Sequence, residues 1–359
     1  MNIRKLKPGA FVELECRYFV AEGLGLSYFT DESQKEKFKP HVFFIWGVLP
    51  GEKFIARIAQ VKSKVAHGVL ARRDELPAEL TGDFRHETWA LCNLAEERAQ
   101  PECANYLRCG GCRMQHMSYA QTLVYKQEWL KSQLARNKVE VAAMEFHSLP
   151  SEAQRHYRNH VQVHINKYGT YGFYEPVSYR TRAFPEHGCL IFDEKALRDR
   201  FPKYPVEVRA ARIRLNTDGQ AVFTVLNSKE ESKNLARYTV EWPPGRRIDI
   251  DFPVTGFFQA NLRALPAWLT TISEFFDRTG ISSPRVLELF SGFGFISRMQ
   301  SLVRPMNVIA MDILSNEQVQ QVVFEENGQR IQSEFSEIFR KTDLFLPERI
   351  AESILDEIQ

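Results

Sequence analysis

Three of the six cysteines in this 359-residue sequence fall within ten positions, in the stretch CANYLRCGGCRMQH. Cys103, Cys109 and Cys112 are spaced Cys-x5-Cys-x2-Cys, with Gly110 and Gly111 ahead of the last. The glycines allow a tight turn in which backbone N–H groups face sulfur. Three thiolates on such a turn need a fourth ligand from elsewhere. Cys189 in FPEHGCLIFD is the natural candidate and Cys92 the runner-up. Four cysteinyl sulfurs suit either a structural zinc or an iron–sulfur cluster. A disulfide does not suit a reducing compartment, and three clustered core cysteines would be a coincidence.

A second constellation lies near the C-terminal end. Gly292-x-Gly294 follows the apolar run VLELF, and the next run, NVIAMD, closes on Asp312. In doubly wound sheets the first strand–helix turn lets a ligand approach the backbone, and the acid ending the second strand accepts hydrogen bonds from a ribose. A third glycine, which a pyrophosphate would require, is missing. S-adenosylmethionine, which carries no phosphate, fits better than a dinucleotide. Basic residues form a third set. Arg155 and Arg158 in RHYRNH can grip phosphate, although a solvated strand start accounts for them nearly as well. Lys53, Arg57, Lys62 and Lys64 read as a basic lattice on strands and their turn, as in oligonucleotide-binding barrels.

These residues need a scaffold. The chain is 44% hydrophobic and 26% charged, an ordinary globular composition with room for two or three cores. It has no apolar run of membrane-spanning length and no signal-type leader, which points to the cytoplasm and away from a membrane. Net charge is only +2, but residues 1–260 carry 38 Lys+Arg against 31 Asp+Glu, and residues 261–359 carry 9 against 14. A mildly basic body suits an anionic ligand. Residues 1–75 read as a small β-barrel, with a strand–turn–strand pattern around Pro50-Gly51. Residues 76–250 hold the cysteine segment and an α+β middle domain. In it, Ser118 and Gln121 cap a helix whose Leu123, Val124, Leu130 and Leu134 share a side. From 251 to 359 the pattern becomes α/β. A helix is opened by Pro266 and closed by Gly280, then come a buried strand, the Gly-x-Gly turn and a helix. The remainder reads as largely helical, with Ile350, Ile354 and Ile358 in a core-covering stripe and Glu325, Glu326 and Glu334 as solvated helix charges.

Taken together, CANYLRCGGCRMQH, YRNHVQVHINKYGTYGFYEP, Cys189 and GFFQANLRAL followed by LELFSGFGF resemble the RNA uracil-5-methyltransferase family. The barrel pattern Gly23-x-Gly25…Leu49-Pro50-Gly51-Glu52 agrees with it. The resemblance runs from about residue 7 to Asp312. It implies a TRAM barrel, a [4Fe-4S] cluster on Cys103, Cys109, Cys112 and Cys189, a middle domain and a Rossmann-like class I methyltransferase domain. It also implies tRNA or rRNA as partner and S-adenosylmethionine as methyl donor. By the same resemblance Gln259 lies at the methyl-donor site, Phe257 near the target base, and Phe290 at the strand-end motif with Gly292 and Gly294. Asp312 stands where the family usually has Glu. Ser291 replaces a usual Cys, and Phe295 sits where Asn is common, removing a polar contact and crowding the methionine end.

The family's chemistry needs a cysteine thiolate that adds to uracil C6 and a carboxylate that removes the C5 proton. No cysteine follows Cys189, and Asp-Pro-Pro, which precedes the nucleophile in the family, is absent. No catalytic residue is therefore assigned. The expectation is a chain whose methyltransferase domain is incomplete, by truncation or frameshift. A partner chain would then complete it, or the protein would be a non-catalytic RNA-binding or assembly protein of this descent.

Overall fold

In a computed structural model of the chain, the described residues are 4–80, 82–193, 209–226, 234–312, 322–331 and 336–341. They form two compact units, Met1–Pro150 with His164–Leu190, and Ser151–Val163 with Ile191–Gln359.

The first unit is built on a closed five-stranded barrel of Phe11–Val20, Leu24–Phe29, Val42–Trp46, Val65–Leu70 and Lys53–Val61. Its pairs are antiparallel except Val42–Trp46 with Val65–Leu70, which run parallel. Alternation sets the register. In LGLSYF every second residue is buried, turning Gly25, Ser27 and Phe29 inward. Leu14, Cys16, Phe43, Ile45, Phe54 and Ile58 fill the interior. The basic residues read as one lattice lie apart. Lys53 begins a nine-residue strand, while Lys62 and Lys64 sit in the turn beyond its other end. At ~3.3 Å per residue that strand separates them by roughly 25–30 Å.

A buried ion pair fastens the barrel to the segment leading into the cysteines. Glu52, fully buried at the Pro50-Gly51 turn, receives both prongs of the Arg98 guanidinium at 2.5 Å. It also accepts from the Leu49 N–H at 2.8 Å, and Arg98 reaches the Gly47 carbonyl at 2.8 Å. The helix Tyr119–Arg136 starts where expected, with Ser118 Oγ accepting from the Gln121 N–H at 3.2 Å. Its expected apolar side is not buried: Val124 and Leu130 are exposed, Leu123 and Leu134 are half-buried, and Thr122 is its one buried residue. The apolar residues spread around the helix, so no single stripe forms.

In the second unit, Leu235–Glu241, Arg247–Pro253, Val323–Glu326 and Gln329–Arg330 make an antiparallel sheet. Arg285–Leu289, Asn307–Asp312 and Ser336–Lys341 pair in parallel with Asn307–Asp312 in the centre. The helix Leu265–Thr279 has Pro266 in its first turn and a left-handed Gly280 cap, as the sequence predicts. Two expectations fail here. The run before Gly292 is not a buried strand, because among the described residues it lies at a sheet edge with Leu287 and Leu289 more than 40% exposed. Nor are residues 323–331 and 336–341 helical, since three strands lie among them. Glu325 and Glu326 are accordingly strand residues in ion pairs with Arg237 at 3.1 Å and Arg246 at 2.6 Å, not solvated helix charges. Short apolar runs such as VVFEE fit either period, and sheet pairing decides between them. Glu334, Ile350, Ile354 and Ile358 lie outside the described residues. Among the described residues no helix is long and apolar enough to cross a membrane.

Candidate functional site

The cysteine turn is shaped by its contacts. Cys109 N–H bonds the Asn105 carbonyl at 2.8 Å, and Tyr106 N–H bonds that of Cys103 at 2.9 Å, folding the stretch into consecutive turns. Gly110 N–H reaches the Tyr174 carbonyl at 2.8 Å, docking the turn on the hairpin Tyr171–Tyr174/Thr181–Ala183. Both glycines are required by space. A Cβ at Gly110 would lie 2.7 Å from that carbonyl oxygen, and one at Gly111 2.7 Å from the Phe173 ring. Gly111 N–H points at Cys109 Sγ, 3.4 Å away, the contact anticipated from the glycines.

Cys103, Cys109, Cys112 and Cys189 line one cavity, with Tyr106, Phe173, Phe184 and Pro185 among its other walls and Asn105 and Gln115 at its lining. Cys92 is not among the lining residues, and Cys16 is buried in the barrel core. Burial, with the neighbouring thiols adding to it, pushes the Cys109 thiol up to about 12. Among the described residues no three His, Cys, Asp or Glu side chains are arranged to hold a single metal ion. Behind the turn, the Tyr106 hydroxyl donates to the Arg113 carbonyl at 2.9 Å and shares a 2.5 Å hydrogen bond with His116 Nδ1. One hydroxyl proton cannot serve both, so Nδ1 is the donor in the second bond. His116 is buried, and desolvation lowers it to about 3.

The Gly-x-Gly turn of the second unit joins the edge strand to the helix Phe295–Gln300, with Gly294 in the left-handed N-cap position. Asp312, at the end of the neighbouring strand, accepts from the Gly292 N–H through Oδ2 at 2.8 Å. A Cβ on Gly292 would meet nothing within 4 Å, so that side of the turn is open to a ligand. Phe290 beside it is 61% exposed and held at φ 55°, a conformation rare for an aromatic residue. Glu288 bonds the Ser297 hydroxyl, and burial raises its carboxyl above the ordinary range.

The segment carrying Phe257 and Gln259 packs on the same turn. Phe258 meets Phe295 edge-on at 5.1 Å, and Phe252 meets Phe293 at 4.8 Å. Phe295 thus serves the core behind the turn. Phe257 is 72% exposed, and Gln259, also exposed, accepts through its carbonyl from Asn159 Nδ2 at 2.8 Å. Two arginines that sequence reasoning passed over hold this segment. Buried Arg214 donates to the Val254 carbonyl at 2.8 Å and to that of Gly256, and Arg212 donates to that of Thr255. Of the basic run, Arg155 is exposed. Arg158 is half-buried beside His160, which desolvation and the charges of Arg214, Arg158 and Arg212 lower to about 4. Alternating basic residues in ARIRLN were the available signal for Arg212 and Arg214.

No protein-family model matches the chain. Among curated proteins it is 25% identical over 286 residues to an uncharacterized RNA methyltransferase of Leptospira interrogans, covering 76% of this chain and 61% of that protein. It is 25% identical over 316 residues to the 23S rRNA (uracil(1939)-C(5))-methyltransferase RlmD of Vibrio vulnificus, covering 77% and 64%. An uncharacterized RNA methyltransferase of Listeria innocua is 27% identical over 251 residues, covering 64% and 49%. The chain is thus similar to RNA methyltransferases, a uracil-C5 enzyme among them. The matched part spans less than two-thirds of the length of these relatives. The residues on which the uracil-5-methyltransferase resemblance rests fall at the thiol cavity and around the glycine turn.

Proposed function

We propose that this chain is an RNA-binding, S-adenosylmethionine-binding member of the family whose four thiols hold a [4Fe-4S] cluster. The observation that carries the reading is the meeting of Cys103, Cys109 and Cys112 with the distant Cys189 in one apolar-walled cavity. That donor set fits the cluster. A cluster spreads its ligands over several irons. Here it would act as a tie, closing the chain between Cys112 and Cys189.

The glycine turn supports methyl-donor binding by its open side at Gly292 and by Asp312 at the adjoining strand end. We read this unit as Rossmann-like. When bound, S-adenosylmethionine supplies an electrophilic methyl group. Asp312 would orient the ribose, Phe290 would cover the adenine side, and exposed Phe257 would meet the target base. Lys53, Lys62, Lys64, Arg155 and Arg158 would contribute to holding RNA, with tRNA or rRNA as the substrate class and the cytoplasm as the site.

The covalent step is a separate matter. Residues 190–359 contain no cysteine, so the thiolate that adds to uracil C6 is not supplied by them. A second reading is an RNA-binding or assembly protein that does not itself methylate, or one that acts with a partner chain. Calorimetry with S-adenosylmethionine, and transfer of labelled methyl to tRNA and rRNA, separate these. Donor binding without methylated uridine supports a chain that needs an external thiolate. No donor binding favours the assembly protein. Methylated uridine from the pure chain would overturn the assignment of the nucleophile to another source. A colourless protein with stoichiometric zinc after anaerobic purification would defeat the iron–sulfur reading.

A further inference from the structure

We propose that an arginine-lined cleft in the first unit grips the phosphodiester backbone of RNA. The inference rests on the RNA-binding reading above and gives it a place that the basic lattice of the sequence did not. The cleft has a volume of about 340 Å³. Arg57 enters it from the barrel strand Lys53–Val61, Arg72 from just beyond Val65–Leu70, Arg108 from the cysteine turn, and Arg180 and Arg182 from the Tyr171–Ala183 hairpin. Two carboxylates, Glu75 and Glu175, share the lining, leaving an excess of positive charge.

The ion pairs divide these arginines into two kinds. Arg72 is locked on Asp74 by two bonds of 2.9 Å, and Arg182 bonds Glu175 directly. The others are held loosely: Arg57 is 3.6 Å from Glu75, Arg108 3.8 Å from Glu75 and 3.9 Å from Asp74, and Arg180 3.8 Å from Glu175. Those distances exceed a hydrogen bond, so pairing with these carboxylates leaves the donor forks of three guanidiniums for a ligand. A guanidinium fork matches two phosphate oxygens. The one ring in the lining, Trp89, is 5% exposed and lies under Arg72, 5.6 Å from its guanidinium. It offers no face for base stacking, so the cleft suits backbone and not sequence.

The cleft and the thiol cavity share a wall. Tyr106 and Cys109 line the cavity, and Leu107 and Arg108 between them line the cleft. Leu107 holds φ 60° there, with its side chain against Gly47, where a Cβ would lie 2.4 Å from Leu107 Cδ1. Such strain persists where the surroundings enforce it, and Leu107 and Arg108 both line the cleft there.

The test is fluorescence anisotropy of the full chain with labelled single-stranded RNAs of mixed sequence, titrated with salt. In the triple variant Arg57→Gln/Arg108→Gln/Arg180→Gln, the slope of log K against log salt should fall by roughly 2, about 0.7 for each lost phosphate contact. Affinity at low salt should drop at least ~10-fold, equally for all sequences. Arg180→Gln alone, at a side chain 82% exposed, should remove about 0.7 of the slope without risk to folding. Wild-type slopes in both would overturn the proposal. If Lys62→Gln/Lys64→Gln carries the whole loss instead, the cleft fails and the RNA reading stands. If the unaltered chain binds no RNA, both fail.

Discussion

The side chains that matter most for the first unit are charged or polar and out of water. Glu52 and Arg98 are 0% and 5% exposed and satisfy one another. Arg98→Met should leave Glu52 buried and uncompensated, a cost of about 3–5 kcal/mol measured by urea unfolding. Replacing both with apolar residues should recover much of that loss. His116 is neutral when folded because desolvation lowers it to about 3. The unfolded chain protonates near the ordinary value, about 6.5. Between those values the unfolded state binds more protons, so stability is full above about pH 6.5 and falls as the pH drops toward 3. The loss should reach on the order of 3–5 kcal/mol, and His116→Gln should flatten the pH profile of unfolding. In the second unit, Asp312→Asn should weaken S-adenosylmethionine about tenfold by calorimetry, the scale of one charged hydrogen bond. The meeting of the four thiols and the strand-end place of Asp312 were legible in the sequence because spacing and strand order mark them. Arg98 was not, since a lone arginine shows its partner only once the Pro50-Gly51 turn folds beside it.

Among the elements, the cysteine turn depends on the hairpin Tyr171–Tyr174/Thr181–Ala183 and on the segment that brings Cys189. Cys189→Ser should abolish the brown chromophore of an anaerobically reconstituted sample. It should also lower stability by roughly 2–4 kcal/mol, since a long loop is no longer closed. An unchanged spectrum would mean that Cys92 or another group serves as the fourth ligand. The barrel was legible from alternation and glycine turns, as LGLSYF illustrates. The helix Tyr119–Arg136 was legible in its cap and not in its face, because Leu123, Val124, Leu130 and Leu134 spread around the helix and form no single stripe. The strand Arg285–Leu289 misled for the opposite reason: its composition is that of a covered strand, and its place is an edge. The strands Val323–Glu326 and Ser336–Lys341 were misread because sheet pairing with Arg247–Pro253 and Asn307–Asp312 is non-local, and no window of sequence contains it.

Across the whole molecule the charge is nearly balanced, +2, and only its arrangement favours a polyanion. With about five phosphate contacts, raising salt from 50 to 200 mM should weaken RNA binding roughly 100-fold, a loss that anisotropy would register. The arginine cleft was invisible in the sequence because its side chains come from a barrel strand, the cysteine turn and a hairpin far along the chain. The path of the backbone carries one more consequence. The chain leaves the first unit at Pro150, returns at His164 and leaves again after Leu190. No single cut therefore separates the two units. A fragment ending at Pro150 would keep the barrel and three thiols but lose Cys189 and the hairpin against which Gly110 docks. A fragment beginning at Ile191 would lack Ser151–Val163, and with it the Asn159 amide that holds the Gln259 carbonyl. Dissecting this protein requires a spliced or circularly permuted gene, and activities assigned to simple halves would be those of damaged units.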